Sequence, residues 1–139
     1  MKERVFIDTG FWIALIDKRD QNHIHAKKSL KPLLTKYNVC SSEFVVFETL
    51  TYINCSFKRH DLALKYINKM DDSGIHVFPV DETTKIKALQ LFRSYSDKNL
   101  SVTDCTSFAI MQKNDIKLFA GFDDHFKQIS FVPAIPAFS

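Results

Sequence analysis

Glycine is scarce. Only Gly10, Gly74 and Gly121 occur in 139 residues, too few for a chain of tight β-hairpins, whose turns depend on residues that accept positive φ. The three cysteines, Cys40, Cys55 and Cys105, are odd in number and far apart, and no C-x-x-C occurs. That argues against a disulfide framework and a cysteine zinc site, and points to a reduced, cytoplasmic setting. No apolar run approaches the roughly 20 residues of a membrane span. Lys2, Glu3 and Arg4 precede only a brief apolar run, which is no signal peptide. Charge is not extreme: 19 basic against 16 acidic residues leave a formal +3. A nucleic-acid partner is permitted but not required. What is present is a hydrophobic content of 45%, enough for a core, in a length that suits one domain, 1–139.

The chain then reads as strands alternating with helices. Val5, Phe6 and Ile7 form an apolar run without polar alternation, as expected of a strand covered on both faces. Helices are expected over about 10–17, 23–36, 42–56 and 59–70, the last with Leu62, Tyr66 and Met70 four residues apart. An extended piece falls at 38–41 and a strand at 75–80. Asp81 opens a helix to about Tyr95, and Ser101 opens another to about Asn114. A strand at 117–122 precedes a short helix at 123–129. The tail, 131–139, holds Pro133 and Pro136 and is expected to lie extended over the surface. This alternation predicts a mostly parallel sheet of four or five strands.

Acidic residues stand where such a fold places chemistry. Asp8 follows the first strand, at the carboxyl-end crevice where open α/β sheets bind ligands; capping of the next helix would also explain it. Glu48 lies in F-V-V-F-E-T-L-T-Y-I with Phe44 and Tyr52 on its own helical face. Burial there would cost several kcal/mol unless a cation compensated, whereas a place at the helix rim would leave it in water. Asp104 is three residues after Ser101, as in a capping box, and a helix N-terminus also favours the ionised form that a metal ligand needs. Asp123 follows the strand-like K-L-F-A-G-F, and either Asp123 or Asp124 could cap the short helix after it. Four such carboxylates suit a hard cation such as Mg²⁺. The histidines say less. His23 and His25 diverge on a helix, and His125 either lines the site or bonds locally. Lys27, Lys28 and Lys31 offer a modest basic footprint that fits phosphate contact or a solvated face.

In this order the motifs V-F-I-D-T-G-F-W, V-V-F-E-T-L, L-S-V-T-D-C-T-S-F-A-I-M and G-F-D-D-H-F-K-Q resemble the PIN-domain ribonucleases, particularly the VapC-like toxins of toxin–antitoxin pairs. The segment from Asp17, D-K-R-D-Q-N-H-I-H-A, looks like the family's stretch after the first helix. The resemblance implies a compact three-layer α/β/α fold with a central, mostly parallel sheet, and metal-dependent hydrolysis of RNA to a 5′-phosphate and a 3′-hydroxyl. It implies that Asp8, Glu48, Asp104 and Asp123, with Asp124 as the alternative fourth ligand, hold Mg²⁺ or Mn²⁺, with Thr9 and His125 behind them. It also implies a homodimer and a small antitoxin partner that inserts a segment into the active-site groove. One position departs: Gly121 stands where many relatives carry Thr or Ser, two residues before the last acid.

Other classes fit less well. D-T-G after apolar residues also marks aspartic proteases, but these need a glycine-rich all-β chain. A D-x-D phosphatase fails at Gly10. A phosphoacceptor receiver leaves Glu48 unexplained. The remaining rival is a PIN-like fold that binds RNA or protein without catalysis.

Overall fold

The computed structural model describes residues 2–134; positions 135–139 of the expected tail lie outside them. The elements run β1 (Arg4–Ile7), α1 (Thr9–Ile16), α2 (His23–Lys36), β2 (Asn38–Ser42), α3 (Glu43–Thr51), α4 (His60–Asp72), β3 (His76–Phe78), α5 (Glu82–Ser94), α6 (Val102–Lys113), β4 (Leu118–Ala120), α7 (His125–Gln128) and β5 (Val132–Pro133). The five strands form one sheet in the order β3-β2-β1-β4-β5, and every pairing is parallel. Helices cover it in a three-layer α/β/α arrangement. Val5, Phe6 and Ile7 have no solvent exposure, as their unbroken apolar run predicts.

The differences from the expected elements have local causes. The helix from 43 does continue to Ser56, but its last five residues, Tyr52–Ser56, form a π-helical turn. β3 stops at Phe78 because Pro79 has no N–H to give a ladder; the next N–H, of Val80, is taken by the Glu43 carboxylate at 3.0 Å. Val132 and Pro133, in the described part of the expected extended tail, are exposed, and they join the sheet as an edge strand. Val132 N–H donates to the Lys117 carbonyl and Ala134 N–H to the Phe119 carbonyl, both at 2.9 Å. In this register the N–H that Pro133 lacks faces outward, where an edge strand tolerates proline.

The order of the strands positions the site. From β1 the chain moves outward to β2 and β3, and returns on the other side for β4 and β5. The carboxyl ends of β1 and β4 therefore flank the reversal point of the sheet, where doubly wound folds bind ligands. Asp8 N–H closes that edge by donating to the Ala120 carbonyl at 3.0 Å. Aromatic packing then fastens the flanking helices. Phe119 of β4 stacks on Phe126 of α7 with centroids 4.8 Å apart, and Phe108 of α6 meets Phe126 edge-on at 4.9 Å. All three rings are buried, each contributing about 2–3 kcal/mol of apolar burial. The helices bearing Asp104 and His125 are thereby held against the strand that leads to Asp123.

Candidate metal centre

Asp8 sits at the N-terminus of α1 but makes no capping hydrogen bond there, so the capping explanation does not hold. Its side chain is 5% exposed. Burial pushes the carboxyl from its ordinary 3.8 up to about 8. Asp104 adds the next largest push, the Thr9 backbone N–H offsets part of it, and Asp123 and Glu48 raise it further. Asp104, Asp123 and Glu48 thus each lie within electrostatic reach of Asp8.

Asp104 does two things at once. Ser101 Oγ accepts the Asp104 N–H at 2.9 Å, and Asp104 Oδ2 accepts the Ser101 N–H at 3.1 Å, which completes a capping box. That same Oδ2 lies 3.6 Å from His125 Nδ1. Burial raises the Asp104 carboxyl above the usual range, against the pull of the Ser101 N–H. Asp123 also combines roles. Its Oδ1 accepts the His125 N–H at 2.9 Å and lies 3.0 Å from His125 Nδ1. One donor atom from each of Asp104, Asp123 and His125 falls within 4.8 Å of the others. Asp124 stands outside this group: its carboxylate is exposed and sits 3.6 Å from Lys127 Nζ.

Glu48 differs from the buried carboxylate expected of its apolar surroundings. It is exposed, as is Phe47 beside it. α3 leaves Glu48 facing solvent, near enough to Asp8 to add only the smallest of the pushes on its carboxyl. The buried acid with a full set of partners is Asp17, which the sequence marked only through a family-like segment. Arg19 grips it with Nε on Oδ1 at 3.0 Å and Nη2 on Oδ2 at 3.2 Å, and Tyr52 Oη donates to Oδ2 at 2.8 Å. These bonds hold the Asp17 carboxyl down at about 2. Tyr52 is one helical turn beyond Glu48, so the loop after α1 anchors the helix that presents Glu48.

Gly121 also has a local explanation. A Cβ there would lie 3.2 Å from Asp8 Cβ and 3.6 Å from Asp8 Oδ2. The missing side chain is therefore missing against the first acid. His23 and His60 take no part in the centre; their Nδ1 atoms meet the Ala14 carbonyl and Asn54 Oδ1.

The donor set fits a divalent cation. Among the described residues, no lysine or arginine lies within ion-pair distance of Asp8, Glu48, Asp104 or Asp123. Thr9 Oγ1 and His125 Nδ1 are buried there without an aligned hydrogen bond. Carboxylates grouped in this way, with no basic side chain to neutralise them, suit a cation that takes oxygen ligands.

The model of the PIN domain matches residues 5–132. The chain belongs to the PIN-domain family. It is 30% identical over 136 residues to the 23S rRNA-specific endonuclease VapC20 of Mycobacterium tuberculosis, across 95% of this chain and 98% of that one. The crystal structure of that protein, described as a sarcin-ricin loop cleaving toxin, superposes with a TM-score of 0.84 at 29% identity, covering 95% of this chain and 99% of that one. VapBC2 of Rickettsia felis shares the fold with a TM-score of 0.68 at 14% identity, covering 94% and 96%. FitAcB of Neisseria gonorrhoeae does so with 0.66 at 16%, covering 91% and 92%. No helix among the described residues of this PIN domain is long and apolar enough to cross a membrane.

Proposed function

We propose that this PIN domain is a Mg²⁺- or Mn²⁺-dependent endoribonuclease, the toxin of a toxin–antitoxin pair, with ribosomal RNA as its substrate. The observation that carries the catalytic part is the grouping of Asp104, Asp123 and His125 within 4.8 Å, with no basic side chain to neutralise the acids and with Asp8 close enough to feel them. The substrate follows from the likeness to VapC20 along nearly the whole chain.

Asp8, Asp104 and Asp123 would hold the cation from the sheet side and Glu48 from the solvent side. A divalent ion bound there makes water a nucleophile at neutral pH and stabilises the charge of a phosphodiester transition state. The chain's own residues do the rest. The Ser101 N–H orients Asp104, the His125 N–H orients Asp123, and the Ala120 carbonyl fixes the Asp8 backbone. Without a cation the four carboxylates would repel an RNA phosphate, so substrate binding and chemistry depend on the same ion. The Asp123 side chain is 40% exposed, which leaves that end of the site open to a polyanion.

Two protein partners complete the reading. A second copy would cover the apolar face of α5, where Ile86, Leu89 and Phe92 are exposed. A small antitoxin would be the other. An apolar groove of about 550 Å³ between α1, α2 and α4, lined by Trp12, Leu15, Leu30, Leu34, Tyr66 and Met70, could seat a helix of such a partner.

The test is cleavage of purified ribosomes and of protein-free RNA by the wild type, Asp8→Asn and Asp104→Asn, with Mg²⁺, Mn²⁺ or EDTA. One metal-dependent cut in the large-subunit RNA, absent from both variants and in EDTA, is expected. Cleavage that survives EDTA or either substitution refutes the metal-nuclease reading. RNA binding without cleavage in either metal would favour a non-catalytic binding module.

A further inference from the structure

We infer that His125 is itself a ligand of the cation, a nitrogen donor among carboxylates that gives this site a preference for Mn²⁺ over Mg²⁺. The inference rests on the metal-nuclease reading and specifies its site.

The first support is distance. Two oxygen or nitrogen ligands at neighbouring corners of an octahedral ion, each about 2.1 Å from it, lie about 3.0 Å apart, and opposite ones about 4.2 Å. His125 Nδ1 is 3.0 Å from Asp123 Oδ1 and 3.6 Å from Asp104 Oδ2, and the three donor atoms fit within 4.8 Å. The 3.0 Å separation is that of adjacent ligands, and the 3.6 Å one lies between the adjacent and the opposite limit, so small shifts of the side chains would let them share one ion.

The second support is direction. Despite its closeness to two carboxylates, His125 Nδ1 makes no aligned hydrogen bond among the described residues, and the atom is buried. A histidine whose only task was to orient Asp123 would aim its N–H along the oxygen lone pair. That task already belongs to the backbone, since His125 N–H donates to Asp123 Oδ1 at 2.9 Å. The ring nitrogen is thus left beside both oxygens and committed to neither.

The third is the local build of the chain. Asp123 and His125 flank Asp124, whose carboxylate turns outward to Lys127. Phe126 is buried against Phe119 and Phe108, which fixes α7 and with it the ring of His125. Mn²⁺ takes oxygen ligands as Mg²⁺ does and stands lowest among the divalent transition metals in affinity for nitrogen, yet it accepts an imidazole more readily than the harder Mg²⁺, which is held by oxygen ligands. A mixed set therefore separates two ions that four carboxylates would hold alike.

Mn²⁺ and Mg²⁺ are titrated separately into the full chain and into His125→Ala. The Mn²⁺ complexes are then examined by electron spin-echo modulation for coupling to ¹⁴N. The expected result is ¹⁴N coupling in the wild type that disappears in His125→Ala. The Mn²⁺ affinity of the variant should fall by about tenfold, with a smaller change for Mg²⁺. The wild-type spectrum needs no variant, so misfolding of His125→Ala cannot mask the answer. Mn²⁺ binding without ¹⁴N coupling, or coupling that persists in a folded His125→Ala, overturns the role of His125 while leaving the metal nuclease standing. Failure of the wild type to bind either ion overturns both.

Discussion

Gly121 stands directly against Asp8: a Cβ at position 121 would approach Asp8 Cβ to 3.2 Å. The Asp8 backbone cannot retreat, because its N–H is bonded to the Ala120 carbonyl one residue before the glycine.

Gly121→Ala is therefore expected to cost about 1 kcal/mol of stability through overpacking and to lower metal-dependent cleavage by displacing Asp8. Gly121→Ser has the same crowded Cβ and adds a hydroxyl beside Asp8 Oδ2, so it should recover part of the cleavage lost in Gly121→Ala. Thermal unfolding and cleavage rates of the two variants check this.

The Asp8 carboxyl makes metal binding depend on pH. Its pKa in the metal-free fold, about 8, lies above its unfolded value, so the fold holds a proton that the unfolded chain releases from about pH 4. Stability of the metal-free protein should fall as pH rises from 4 to 8 and level off above that. A cation must displace this proton. Mn²⁺ or Mg²⁺ should then raise the melting temperature more at pH 8 than at pH 6, as a thermal scan at the two pH values would show. An equal shift would mean that Asp8 is already ionised.

Asp8→Asn removes one of the mutually repelling acids. At pH 8, without metal, this variant should melt higher than the wild type while losing cleavage. A lower melting point would count against burial of the charge, with repulsion from Asp104 behind it, as the cause of the raised Asp8 carboxyl.

Asp17 works in the opposite sense. Arg19 and Tyr52 hold its folded pKa at about 2, below the unfolded value. Its contribution is present above about pH 4 and is lost as pH falls towards 2. Asp17→Ala should cost about 2 kcal/mol at pH 7, the scale of a charge-assisted hydrogen bond, and should flatten acid unfolding in that window. Denaturant midpoints at pH 7 and pH 3 would show both effects.

Ser101→Ala removes the side-chain half of the capping box and should cost about 1 kcal/mol. Asp104 keeps the Ser101 N–H as donor but loses the hydroxyl that held its own N–H. Metal affinity should therefore weaken without vanishing, as calorimetric titration would measure.

The alternation of short apolar runs with helical periods was enough to determine the element order, since a buried parallel strand has no polar face to show and a surface helix must show one. It also pointed to Asp8 and Asp123, which follow strands, and to Asp104, which lies where a helix begins. Local chemistry at Ser101 was legible for the same reason: a capping box is made within three residues. Only the tertiary structure could decide what depends on contacts between distant residues. The sequence has no signal for the edge strand at Val132, whose partners are Lys117 and Phe119. Glu48 looks buried among its helix neighbours and is exposed, because helix neighbours do not reveal which face meets the sheet. Gly121 reads as an absence until Asp8 is found 3.2 Å from where its side chain would be. The closeness of His125 to two carboxylates likewise exists only once Phe126 has packed against Phe108 and Phe119, since a side chain's direction at the end of a strand is set by what the next helix buries.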